Sequence, residues 1–188
     1  MKNITLITLF VGASAFITSA YAELSGNLGV TSDYFWRGTT QSGGEASVSG
    51  GLDYATENYY VGAWIGSLGE TNGEELDLYI GTEISGFDVG LIKYIIGGTE
   101  ATEYYVGYSF AGADLSYAVD ADTDDEFIGV SYGLDLIEGL GTTISYGDYD
   151  VTGEYLQLDV SYGDLTISVI DHDTAPDLDY VVSYGWSL

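Results

Sequence analysis

From Leu24 to the C-terminus, apolar and polar positions alternate with period two. That spacing puts every second side chain on one face of a β-strand. The last segment shows it plainly: Tyr180, Val182, Tyr184, Trp186 and Leu188 are apolar, with Val181, Ser183, Gly185 and Ser187 between them. The same pattern runs through 24–36, 46–54, 59–65, 76–84, 87–91, 104–110, 115–119, 128–134, 140–146, 156–162 and 165–169. With 180–188 these make twelve predicted strands. A count of ten stays open, because 115–119 and 128–134 carry the weakest alternation. An even number fits a single-chain antiparallel barrel. Residues 23–188 allow about 14 residues for each strand and its connection, and a strand that crosses a bilayer needs roughly 9–11.

The connections alternate as well. Ser85-Gly86, Ala111-Gly112-Ala113 and Gly163-Asp164 are tight, whereas 37–45, 67–74, 120–126, 147–154 and 171–177 are longer, polar and mostly acidic. Short turns at one rim and long loops at the other is the arrangement of outer-membrane barrels. Tyrosines at strand ends, including Tyr34, Tyr54, Tyr104 and Tyr162, match an interfacial girdle. A secreted β-sandwich alternates too. Here, however, the faces opposite the apolar ones are Gly, Ser, Thr and acids, and closure leaves no exposed strand edge. The expected fold is an all-β, closed, antiparallel transmembrane β-barrel.

Ahead of the strands, Lys2, an almost uncharged apolar run over 4–17 and the small-x-small sequence Ala20-Tyr21-Ala22 read as an export signal with cleavage before Glu23. The expected division is therefore 1–22, signal peptide, and 23–188, barrel. A final alternating strand in an exported chain resembles the C-terminal signal that barrel-assembly machinery reads. Outer-membrane lipid and lipopolysaccharide complete the expected surroundings.

Charge narrows the chemistry. Thirty Asp and Glu against three Lys and Arg give a formal net charge of -27, which excludes nucleic acid as a partner. No cysteine is present and His172 is the only histidine, so thiolate and histidine-rich metal centres are excluded. No cofactor is expected. Asp171-His172-Asp173 is the one enzyme-like cluster. Adjacent residues on a strand point to opposite faces, and no nucleophile accompanies it, so an outer-membrane hydrolase is a minor alternative and the chain is read as a non-enzyme. The acidic run 120–126 lacks the turn glycine and the distant glutamate of an EF-hand, and reads as a solvated loop or a weak divalent site.

On the first strand Asp33 and Arg37 are four residues apart and share the face opposite Leu28 and Val30, the luminal one. Arg37 is expected either to line a constriction or to form a structural ion pair, with Asp33, Asp53 or Glu75 as partner. Asp53, Asp77, Glu83 and Asp159 also fall opposite outward positions, and Trp64 joins them. The expected pore lining is thus Asp33, Arg37, Asp53, Trp64, Asp77, Glu83 and Asp159. Luminal glycines and serines are expected to leave space, of which the luminal rings of Tyr60, Trp64, Tyr79 and Tyr105 take some back. Lys93 lands in the outward register, either snorkelling there or displaced by a bulge that turns Ile92 and Tyr94 outward.

Thr31-Ser32-Asp33-Tyr34-Phe35-Trp36-Arg37-Gly38, then Gly50-Gly51-Leu52-Asp53-Tyr54 and Tyr60-Val61-Gly62-Ala63-Trp64, resembles the TorF-type porins, also catalogued as the Gcw-chp family of proteobacterial outer-membrane proteins. The likeness is dense over 24–95. Ile65-Gly66-Ser67-Leu68 departs from it, since the family usually has an Asn after that serine. The resemblance implies an exported barrel acting as a porin, with no established substrate and no catalytic residues. The expected function is passive diffusion of small polar solutes, with cations preferred. The alternative is a plugged barrel serving as a structural or adhesive surface protein.

Overall fold

In the computed structural model, which describes residues 22–188, the alternating segments pair into a closed antiparallel barrel. In chain order the strands are β1 (Glu23–Thr31), β2 (Phe35–Trp36), β3 (Thr39–Thr40), β4 (Ser47–Ala55), β5 (Tyr60–Ser67), β6 (Glu74–Ile84) and β7 (Phe87–Ile96). They continue with β8 (Thr99–Phe110), β9 (Ala113–Asp120), β10 (Glu126–Leu134), β11 (Gly141–Tyr149), β12 (Gly153–Tyr162), β13 (Leu165–His172) and β14 (Asp179–Ser187). All but β2 and β3 belong to the barrel, which therefore has twelve strands. Each barrel strand pairs with its sequence neighbours, and β1 pairs with β14 to close the ring (Leu28 opposite Trp186, Val30 opposite Tyr184). A single helical turn, α1 (Gly69–Asn72), sits between β5 and β6. The predicted export segment lies outside the described residues except for Ala22.

Twelve strands, not ten, form because even the two weakest segments find full partners: β9 pairs with both β8 and β10 over its length. The predicted outward register holds. Leu24, Val48, Leu52, Ile128, Tyr162 and Leu188 are each more than half exposed on the outer wall. An isolated barrel in water would have no reason to expose such a belt. Lys93 stays in this outward register opposite Leu78, with no bulge, and meets Glu100 at 2.5 Å. Ile92 and Tyr94 are buried on the inside.

The first predicted strand is the main difference. It ends at Thr31 instead of running to residue 36. Residues 32–46 then turn inward, and β2 and β3 form a small hairpin of their own, separate from the barrel sheet. Its two-residue tip, Arg37-Gly38, has positive φ at both positions (47° and 76°). Hairpin turns of the I′ kind need that geometry because their twist matches the strands they join. The same chemistry makes the barrel's own tight turns at Ser85-Gly86 and Ala111-Gly112.

Candidate functional site

The hairpin plugs the lumen from the long-loop rim. Its root is tied by Asp33: the hydroxyls of Thr40 (2.6 Å) and Ser42 (2.7 Å) both donate to the Asp33 carboxylate, and Ser42 Oγ accepts the Tyr34 backbone N–H (2.8 Å). The returning limb is tied to the next loop, where the Glu70 N–H donates to the Glu45 carboxylate (2.8 Å) and Asn72 Nδ2 to the Gln41 carbonyl (3.2 Å). Asp33 is spent on its own loop, so the expected luminal pairing of Asp33 with Arg37 does not form.

Arg37 instead reaches across the barrel to Glu103 on β8. Its two terminal nitrogens donate to the two carboxylate oxygens at 2.7 and 2.8 Å, a bidentate fork. Tyr94 Oη adds a third donor to the same carboxylate at 3.0 Å. The guanidinium lies 4.2 Å from the ring centroid of Trp36, 4.1 Å from that of Phe127 and 4.7 Å from that of Tyr149. Aromatic faces attract a cation electrostatically, and here three of them replace its water. Both charges are buried, at 8% and 3% side-chain exposure. At the tip, Gly38 packs so tightly that a Cβ there would lie 2.5 Å from Tyr155 and 2.8 Å from His172.

The lumen below the hairpin has two unlike halves. Along β5–β10 it is filled by Tyr60, Trp64, Tyr79, Tyr105 and Phe127. Their rings lie flat over glycines of neighbouring wall positions, so the expected space is taken up: a Cβ on Gly62 would strike Tyr79, one on Gly81 Tyr60, and one on Gly129 would stand 2.9 Å from Phe127. Their hydroxyls are tied to acids, Tyr60 to Asp88 (2.7 Å) and to Tyr105, and Tyr79 to Asp53. Along β11–β14 the wall is Ser145, Gln157, Asp159, Thr166, Ser168 and Ser183. It encloses a cavity of about 70 Å³ that ends against Trp36 and Arg37, and a second of about 30 Å³ continues it toward the short-turn rim. A water needs roughly 10–15 Å³ of such volume, so each of these spaces has room for a few waters. Gln157 Nε2 donates to Asp159, two residues along the same strand, beside them (2.9 Å).

The seven predicted lining residues do not form one constellation. Asp33, Arg37 and Asp159 border the wet cavity. Trp64, packed on Tyr34 (ring centroids 5.5 Å apart), and fully buried Asp77 lie in the filled half. Asp53 and Glu83 sit toward the short-turn rim, Glu83 exposed. Sequence reasoning missed Glu103, Tyr94, Phe127 and Tyr149. For Glu103 a signal existed: it shares the face of Tyr105 and Gly107, opposite the outward Tyr104.

Two other candidates resolve locally. Asp120 accepts the backbone N–H groups of Asp122 and Thr123, both at 2.8 Å, which folds the acidic run onto itself. Among the described residues no group of three or more His, Cys, Asp or Glu is placed to hold a metal ion. His172 points inward while Asp171 and Asp173 are exposed. Its Nδ1 meets Thr174 Oγ1 at 2.8 Å.

Residues 15–172 match the model of a family described as "Bacterial protein of unknown function (Gcw_chp)". No curated protein matches the chain. Among solved structures, the outer-membrane protein OpdK from Pseudomonas aeruginosa is similar at a TM-score of 0.35 and 15% identity, over 77% of this chain and 58% of that one. OpdK solved with vanillate gives 0.34 and 14%, over 80% and 59%. The chain thus spans less than three-fifths of the length of those proteins.

Proposed function

The chain belongs to the Gcw_chp family, and from that premise we propose that it is an outer-membrane barrel through which small polar solutes, cations above all, diffuse passively. The single observation that carries this reading is the pair of cavities along β11–β14, bordered by Ser145, Gln157, Asp159, Thr166, Ser168 and Ser183 between the hairpin and the short-turn rim, inside a wall whose outer surface is an apolar belt. Such a belt suits lipid chains, and polar side chains facing a narrow lumen suit hydrated solutes.

The cation preference follows from charge placement. Among the described residues the bases are Arg37 and Lys93. Arg37 is neutralised by Glu103, and Lys93 is outside the lumen. Asp159 and Asp164 beside these cavities have no base to offset them. Uncompensated carboxylates at a constriction concentrate cations and repel anions.

A second reading, a closed barrel with a structural or adhesive role, is favoured by the hairpin itself, which fills the long-loop end. Planar-bilayer recording of refolded 23–188 under a KCl gradient separates them. Stable steps with a potassium-selective reversal potential support the pore. A folded barrel without steps overturns it and leaves the closed reading.

A further inference from the structure

Where the root of the plug loop passes β6, three oxygen-bearing side chains meet that the contacts above leave unused. Asp77 is 0% exposed, and neither of its carboxylate oxygens has a hydrogen-bond partner among the described residues. The Tyr34 hydroxyl, on a residue 2% exposed, makes no hydrogen bond of good geometry, although the Glu75 carboxylate lies near enough to accept one. Glu75, 5% exposed, lies two residues before Asp77 on the same face of β6, within reach of both groups. Trp64 stands opposite Asp77 in the strand register and packs on the Tyr34 ring, closing the pocket to water. No base is at hand, since Arg37 is held by Glu103 and Lys93 by Glu100. Two desolvated carboxylates without a counter-charge cost several kcal/mol per ion, a cost that a proton shared between them or a bound cation would relieve.

We propose that Glu75, Asp77 and Tyr34 form a calcium site that fastens the plug loop to the barrel wall. All the donors are hard oxygens. Two carboxylates supply up to four, the phenol hydroxyl a fifth, and water completes the 6–8 that Ca²⁺ accepts. Mg²⁺ demands a compact octahedron and gives up its water reluctantly. A monovalent ion balances only one of the two charges. Tyr34 belongs to the loop and the acids to the wall, so a bound ion crosslinks the two. An affinity of ~10⁻⁴–10⁻³ M, the range of extracellular calcium modules, is sufficient for that role. The site does not depend on the pore reading, since a closed barrel would carry it equally.

The test uses the refolded barrel in detergent micelles, with Tb³⁺ as the calcium probe. Trp64 is placed to sensitise Tb³⁺ luminescence. The expected result is a saturable signal that Ca²⁺ displaces, together with a rise in the melting midpoint in millimolar CaCl₂ that NaCl of equal ionic strength does not produce. Asp77→Asn removes an unpaired buried charge, so it folds; it loses both effects or weakens them roughly tenfold or more. Trp64→Phe loses the luminescence excited through tryptophan, retains that excited through Tyr34, and keeps the Ca²⁺ shift. An Asp77→Asn barrel with the wild-type Ca²⁺ shift overturns the site. So does a wild-type barrel indifferent to Ca²⁺, in which case the two acids share a proton instead.

Discussion

The two halves of the lumen are built from strands with the same outward pattern, and they differ only in what stands on the inner face. Along β5–β10 large rings alternate with glycines, and each ring lies in the gap its neighbour's missing Cβ leaves. Along β11–β14 the inner positions around the cavity are mostly serine, glutamine and aspartate, with Tyr155, Ile170 and Val181 beside them, and these do not fill the space across the barrel. A twelve-stranded wall thus leaves the interior undecided. Side-chain length on the inner face sets whether a sector is filled or wet, and the hairpin leans on the filled sector through Arg37.

The largest expected effect breaks that lean. Glu103→Ala strands a buried guanidinium without its carboxylate and should cost about 3–5 kcal/mol in urea unfolding. Pairing it with Arg37→Met should restore most of the loss, because an apolar replacement of both partners removes the unpaired charge. A smaller loss is expected for Gly38→Ala, which puts a Cβ against Tyr155 in a backbone conformation that side chains rarely adopt. About 1–3 kcal/mol is the scale of such strain.

Asp33→Ala should cost about 1–2 kcal/mol by releasing the Thr40 and Ser42 hydroxyls, and its hairpin should show faster amide exchange than the barrel strands. Asp159→Asn, in the wet half, should change stability by no more than about 0.5 kcal/mol while moving the reversal potential toward zero. If Asp159→Asn were instead as damaging as Glu103→Ala, the contrast between a packed half and a wet half would be wrong.

The strand number, the outward register and the longer rim were legible because lipid-facing positions repeat every second residue and need no knowledge of what lies across the barrel. The hairpin was not. Tyr34 and Trp36 continue the apolar alternation of 24–30, so period two alone extends β1 through them. The break is marked only by Ser32-Asp33, a polar pair suited to turns, and by a glycine after Arg37. Ser85-Gly86 and Ala111-Gly112 carry that same residue-glycine mark and were read as turns; at Arg37-Gly38 the strand pattern hid it. The partner of Arg37 was beyond reach for a different reason. Glu103 lies 66 residues away in sequence on the far wall, and alternation says which face a residue takes, never which residue it meets across the lumen. That luminal rings take back glycine space was legible, but which glycine each ring covers was not, since Tyr79 lies over Gly62 from the next strand and Trp64 over Gly66 from its own.

The seam of the barrel has a consequence for assembly order. The β1–β14 pairing joins residues at least 152 apart, as in the Ser183–Thr31 hydroxyl contact at 3.0 Å, and closing so long a segment carries the largest entropic cost of any contact in the ring. It is therefore expected to form last. The plug loop leaves β1 immediately beside that seam, so the hairpin has an open flank through which to enter while the sheet is still a curled ribbon, and none once the edges zip together. The time the seam stays unzipped would then limit how many molecules close with the hairpin seated.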